Sequence, residues 1–162
     1  RKKHWLNATV VDGKTVSLIY KYKEKQKLPH TEYNIAFRMA EVLLIRAEAR
    51  ARQYNLAGAV NDINTVRNRA KAGALLGSLT QHEVLLALAR ERQAEFFAEW
   101  AHTFLDLKRW YLMNDPLDPL CQLAQSNFQA TPGWAAWKLR WPVPQDEIDK
   151  NPNLLQNEGY AP

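Results

Sequence analysis

Tyr33-Asn34-Ile35-Ala36-Phe37-Arg38-Met39-Ala40-Glu41-Val42-Leu43-Leu44-Ile45-Arg46-Ala47-Glu48-Ala49-Arg50-Ala51-Arg52-Gln53 is where the chain changes period, and with it the fold class. Ile35, Met39, Val42, Leu43, Ile45, Ala47 and Ala49 recur at helical spacing, with Arg38, Glu41, Arg46 and Glu48 between them. Asn55 and Gly58 mark a turn. Val60, Ile63, Val66 and Ala70 then carry the period through a second helix, from about Ala57 to Ala72. Gly73 and Gly77 end it, since glycine enters the left-handed region without a Cβ penalty.

Two antiparallel helices with small alanine contacts and a short turn form a helical hairpin, similar to one tetratricopeptide-type repeat. One such pair cannot bury its face alone, so it must pack on neighbours. On the C-terminal side, Thr80 with Glu83 is a capping box that opens a long helix, Gln81 to Leu112. Asp115-Pro116 and Asp118-Pro119 end it. Residues 115–140 lack a period and are expected as an ordered surface loop. On the N-terminal side, two strand-like runs, Asn7–Val11 and Lys14–Tyr20, flank Asp12-Gly13, a type I′ hairpin signal. A charged loop to about Thr31 follows. The fold class is mainly α. The chain is expected to form a single domain of three stretches: hairpin and basic loop over 1–32, helical body over 33–114, and a Trp-containing loop and tail over 115–162.

Composition narrows the function classes. The 46% hydrophobic and 24% charged content suits a globular protein. No apolar run approaches the ~18 residues of a membrane-spanning helix. These residues carry no signal peptide or lipidation motif, and a start in the basic segment Arg1-Lys2-Lys3 suggests the C-terminal piece of a longer chain. The net charge of +5 is local: residues 1–27 hold eight Lys/Arg against two Asp/Glu, the rest fourteen against fifteen. Lys21 to Lys27 read as a strand edge guarded by lysines, or as an arm for polyanions. Nothing base-reading accompanies them, so nucleic acid is not an expected partner. Cys121 is alone, so no intrachain disulfide forms.

Glu91, Glu95, Glu99, His102 and Asp106 follow one another at spacings of four, four, three and four, which lines one face of a continuous helix. Glu99-x-x-His102 is the i, i+3 pair of di-iron bundles, but such a site needs a second copy. His4, His30 and His82 have no glutamate three residues before them, so no metal and no cofactor is expected. Arg38, Arg46, Arg67, Arg69, Arg92 and Arg109 are numerous enough to pair the acids between helices. Arg38, Glu41, Glu48, Arg67, Arg92, Glu95, Glu99, Asp106 and Arg109 are therefore expected in structural ion pairs. Glycoside-hydrolase carboxylates would sit about 5 to 10 Å apart in a sugar-sized cleft, and helix-face glutamates supply no cleft. A phosphate loop, a nucleophile elbow and a Cys–His pair are all lacking. The chain is not expected to be an enzyme.

Six tryptophans in 162 residues point elsewhere. Trp110 reads as packing and Trp141 as the anchor of a proline strap. Trp134 and Trp137, near Asn127, Gln129 and Lys138, read as candidate ligand contacts. Aromatic faces with amides nearby hold sugar rings, although the same rings could simply pin the loop. The chain closes on Trp141-Pro142-Val143-Pro144-Gln145-Asp146-Glu147-Ile148 and Asn151-Pro152-Asn153-Leu154-Leu155-Gln156-Asn157-Glu158-Gly159-Tyr160. Its prolines predict an extended, strapped tail rather than a helix.

That tail resembles the "IP-x-x-E-I-x-x-NPN-L-x-QN-x-GY" signature of the SusD/RagB family. Three further stretches resemble the family in its own order. Arg38 through Ala49 is similar to "R-x-AE-x-x-LIRAEA", and Asp62 through Ala70 to "D-x-N-x-x-R-x-RA". Glu91-Arg92 through Asp106-Leu107-Lys108-Arg109 is similar to "ER-x-x-ELFAEWGHRWFDLKR". Ala101, Thr103, Phe104 and Leu105 stand where that pattern has Gly, Arg, Trp and Phe. The resemblance implies a surface-exposed outer-membrane lipoprotein, with signal and lipid anchor outside these residues. It implies non-catalytic capture of a nutrient, usually an oligosaccharide, for a SusC-like TonB-dependent transporter. A tetratricopeptide-type module that binds a protein or peptide is the alternative, including a peptide-import member of the same family.

Overall fold

The computed structural model describes residues 5–22 and 35–160. All of the expected charged loop beyond Tyr22, the basic residues Arg1–Lys3 and Lys23–Lys27, and Tyr33 lie outside them. Strands β1 (Leu6–Val11) and β2 (Lys14–Ile19) pair antiparallel, with Leu6 opposite Ile19 and Val11 opposite Lys14. Asp12 and Gly13 turn the hairpin at φ 49° and 73°, both positive as a type I′ turn requires.

Helices α1 (Met39–Arg52) and α2 (Leu56–Arg69) form the helical hairpin. Asn55 caps α2 by accepting from the Gly58 amide at 3.0 Å. The first helix starts six residues later than its apolar period suggests, and the large residues of that period are not the core face. Met39, Val42 and Ile45 are exposed, while Ala40, Leu44, Ala47 and Ala51 are buried. Small side chains let α1 approach α2 and α3 closely; the larger ones form a second apolar row on the outer face. The loop after α2 is tied by Asn64, whose amide donates to Leu75 O at 3.1 Å and whose oxygen accepts from Leu75 N at 2.7 Å.

Helix α3 (Gln81–Glu95) opens with the capping box of Thr80 and Glu83. The single long helix expected to Leu112 does not form. The chain leaves the helix after Glu95 and restarts as α4 (His102–Leu112). Ala98, Trp100 and Ala101 have φ of 57°, 39° and 56°, unfavourable for residues with a Cβ. Tertiary contacts hold the break. Lys21 Nζ donates to Glu95 O and Phe97 O, each at 3.2 Å, and Arg38 Nη2 to Glu95 O at 3.1 Å. These cations satisfy the last carbonyls of α3 and complement its dipole. Trp100 Nε1 reaches Ile35 O at 3.1 Å. Lys21 is thus a half-buried anchor between the hairpin and α3, not a solvated edge lysine; it also pairs with Glu99 and sits 4.0 Å from the Trp5 ring.

Residues 115–140 are not a loop. Asp118 accepts from Leu120 N (2.9 Å) and Cys121 N (3.0 Å), and Pro119 occupies the first position of α5 (Pro119–Gln129). The same Asp-Pro pair that ends one helix starts another. A 3-10 turn follows at Ala136–Leu139, and the tail contains a short helix, α6 (Gln145–Lys150), where an extended strap was expected. Pro144 precedes α6, and Asp146 and Glu147 favour its first turn. The core lies among α1 to α5, around Leu44, Ile63, Leu88, Phe96, Trp110 and Leu120. Cys121 is buried. Among the described residues no helix is long and apolar enough to cross a membrane.

Candidate functional site

The acids and arginines of the helical body form three groups. At the α3 break, Arg38 Nη1 contacts Glu95 at 2.7 Å while its Nε and Nη2 contact Glu99 Oε2 at 3.1 and 2.9 Å. Arg69 also pairs with Glu95, and Arg67 reaches Glu91 at 3.2 Å. Between α1 and α4, Arg109 holds both Glu48 oxygens, at 2.8 and 2.6 Å. Arg92 meets Asp106 at 2.6 Å, and Arg109 Nε meets the same carboxylate at 3.0 Å. On α2, Asp62 accepts from Arg46 (2.7 and 3.0 Å) and Arg50 (2.7 Å). Glu41 stands apart: among the described residues its charged contact is with His102 Nδ1, at 3.9 Å. Asp62, Arg50, Lys21 and the Arg52–Asp118 pair at 2.7 Å are ion-pair partners beyond those expected, although Asp62 sits four residues before the Val66 of the α2 stripe.

Burial pushes the Glu48, Asp62 and Glu95 carboxyls up, yet each ends below the usual carboxylate range. The guanidinium of Arg109 does this for Glu48, Arg46 for Asp62, and Arg38 with Arg69 for Glu95. The helix break also takes apart the predicted acidic face. Glu91 and Glu95 lie on α3, Glu99 in the turn, His102 and Asp106 on α4. Glu99 goes to Arg38 and Lys21, and the His102 ring stacks on Phe96 with centroids 4.5 Å apart. Among the described residues no cluster of three or more His, Cys, Asp or Glu could hold a metal ion.

The aromatic residues have separate environments. Trp134 stacks on Phe128, centroids 4.3 Å apart and 11° from parallel, and meets Tyr111 edge-on at 5.8 Å. One of its faces is therefore used in packing. Trp137 stands on the 3-10 turn and walls an open cleft of about 590 Å³ with Lys108, Tyr111, Leu112, Arg140 and Glu158. Tyr111 is the residue the two environments share. Asn127, read beside these tryptophans, donates to Leu123 O on its own helix at 2.8 Å. Lys138 lies 5.3 Å from the Trp137 ring centroid.

The tail sets the Trp137 ring. Tyr160 packs edge-on against it at 4.6 Å and donates its hydroxyl to Arg140 O at 2.7 Å. Gly159, at φ +87°, lies so close that an added Cβ would come within 2.3 Å of Trp137 Cδ2. Gln156 closes the strap through Val143, accepting from its N at 2.8 Å and donating to its O at 2.9 Å. Trp141, expected to anchor the strap, has an exposed ring; its backbone carbonyl, bonded by Asn157 Nδ2 at 2.6 Å, makes the tie. Main-chain ties suffice there, which frees the indole.

The sequence profile of the SusD family matches residues 3–160. The chain is 32% identical over 138 residues to the SusD-like protein P25 of Formosa agariphila, covering 81% of this chain and 25% of that protein. It is 32% identical over 151 residues to the starch-binding protein SusD of Bacteroides thetaiotaomicron, covering 92% and 24% respectively. A SusD superfamily protein from Bacteroides vulgatus superposes with a TM-score of 0.59 at 32% identity, over 77% of this chain and 27% of that one. The chain thus spans about a quarter of the length of the curated relatives it matches. With a mainly helical body, a small hairpin and a tail locked on Trp137, the chain belongs to the SusD family.

Proposed function

We propose that this chain is the part of a nutrient-binding protein that contributes an aromatic cleft to the capture of an oligosaccharide. The observation that carries the reading is the Trp137 cleft, with Tyr111 beside the indole and Lys108, Arg140 and Glu158 around it. Sugar rings lay their CH faces on such aromatic walls and turn hydroxyls toward the polar rim. Trp134 acts behind Tyr111 and Phe128, holding the wall. Capture is non-catalytic. The longer protein works at the cell surface, attached to the outer membrane by a lipid anchor borne elsewhere, and passes its ligand to a SusC-like TonB-dependent transporter. The match to a starch-binding relative supports a glycan ligand.

The test is a calorimetric panel of oligosaccharides and peptides against the chain, with Trp137→Ala and Trp134→Ala. Glycan binding lost in Trp137→Ala and weakened in Trp134→Ala supports the cleft. Glycan binding untouched by either variant refutes it. The exposed row Met39, Val42 and Ile45 favours a second reading, a helical face that binds protein. Peptide binding abolished by Val42→Asp and insensitive to both tryptophans would establish that reading instead.

A further inference from the structure

A second cavity, of about 300 Å³, opens between α3, α4 and α5, apart from the Trp137 cleft. It has room for about ten waters, the size of one six-membered sugar ring with its substituents. Its floor is apolar, made by Leu107 and Leu123 with the indole of Trp110, whose N–H is committed to Glu48 at 3.2 Å. Four polar side chains converge at the mouth: Arg90, Gln93, Thr103 and Asn127. The Asn127 amide N–H is used on its own helix, which leaves its oxygen as an acceptor. Arg90 forms no ion pair among the described residues. The Asp106 carboxylate on the wall is already taken by Arg92 at 2.6 Å and Arg109 at 3.0 Å. The unspent charge facing this cavity is therefore positive.

We propose that this cavity binds a single anionic sugar ring, its carboxylate on Arg90, its hydroxyls on Gln93, Thr103 and Asn127, and a CH face on the leucine floor. An apolar pocket with a few convergent polar groups is the form small-molecule sites take, and the free guanidinium selects an anion. The inference deepens the glycan reading by assigning a second, charge-selective subsite, and it does not use the Trp137 cleft.

The experiment is an NMR titration of the chain with D-glucuronate, glucose 6-sulfate and glucose, following the Leu107 and Leu123 methyls and the Trp110 indole N–H. Glucuronate is expected to shift these signals saturably and to bind at least about fivefold tighter than glucose, the effect of one partly exposed charge pair. Arg90→Gln removes the preference. Thr103→Phe blocks the mouth without adding a cation and abolishes the shifts. The sulfate ester distinguishes carboxylate from sulfate, and tight binding of either anion supports the site. Equal binding of glucose and both anions, a preference that survives Arg90→Gln, or shifts confined to other residues would overturn it. A parallel oligosaccharide titration of Trp137→Ala reports on the cleft alone, so either reading can fail without the other.

Discussion

Glu48 is the acid on which the α1–α4 contact turns, and replacing it with glutamine tests the ion-pair framework directly. Its carboxylate accepts from Arg109 Nη1 and Nη2 at 2.8 and 2.6 Å, from Trp110 Nε1 at 3.2 Å and from Arg52 Nη2 at 3.3 Å. Glutamine keeps one acceptor and turns an NH2 toward a donor, so one Arg109 bond is lost and another becomes neutral. Hydrogen bonds to charged groups contribute about 1.5–3 kcal/mol each. The Arg109 side chain is 45% exposed and that of Arg52 30%, so both recover water when the charge goes. The cost then falls below the roughly 3–5 kcal/mol of a fully buried broken pair, at about 2–3 kcal/mol. For a chain this size it lowers the melting temperature by roughly 4–12 °C. Thermal and urea unfolding followed by circular dichroism measure both quantities. The double variant with Arg109→Gln should cost less than the sum of the single ones. Glu48 does not line the Trp137 cleft, so oligosaccharide affinity at that cleft stays unchanged. An unaltered melting temperature would refute the reasoning.

Three other outcomes follow from the geometry. Gly159→Ala puts a methyl into the Trp137 ring at a positive φ, which should cost roughly 2–3 kcal/mol, change the near-ultraviolet dichroism of tryptophan and weaken glycan binding; an unchanged spectrum would show that the tail does not set the ring. Ala101→Gly relieves a left-handed residue at φ 56° and should stabilise by about 0.5–1 kcal/mol, read as a higher urea midpoint, with a lower midpoint contradicting the strain. Because the Glu48, Asp62 and Glu95 carboxyls titrate lower in the folded chain, they bind fewer protons there than when unfolded. Their contribution is fully present above the unfolded pKa of about 4 and is lost as pH falls through the folded values. Stability should be nearly flat from about pH 7 to 5 and drop below about 4.5, less steeply in Glu48→Gln; a steep loss between pH 7 and 5 would mean other groups dominate.

What was legible in the sequence is what local physics decides. The Asp12-Gly13 turn, the Thr80–Glu83 box and the Asn55 turn between α1 and α2 depend on neighbours in the chain, and each stands at its expected place. The break at 96–101 does not depend on neighbours. Residues Gln81 to Leu112 contain no proline or glycine, so their period runs on unbroken. The helix stops because Lys21 and Arg38, from distant parts of the chain, take the carbonyls at Glu95 and Phe97. Helix α5 is a different failure, since its signal was present. Asp118-Pro119 is an N-cap followed by a first-turn proline, and a pair that ends one helix can also open the next.

The tail shows how the proposed site arises from residues with little chemistry of their own. Trp137 stands on a turn only four residues long, with Lys138 as its neighbour at 5.3 Å from the ring centroid. Its orientation comes from a segment some twenty positions later, through a glycine with room for the indole, a tyrosine edge and a hydroxyl bond to Arg140 O. The polar string Gln156-Asn157-Glu158-Gly159-Tyr160 therefore has distinct tasks. Gln156 and Asn157 fasten the strap, Gly159 and Tyr160 aim the ring, and Glu158 faces the cleft. A long side chain at Gly159 would remove the aromatic wall while leaving the helical core intact. Such a requirement falls on the proposed cleft more than on the fold, and the helical body acts as the support that brings Lys108 and Tyr111 to the same cleft as the indole.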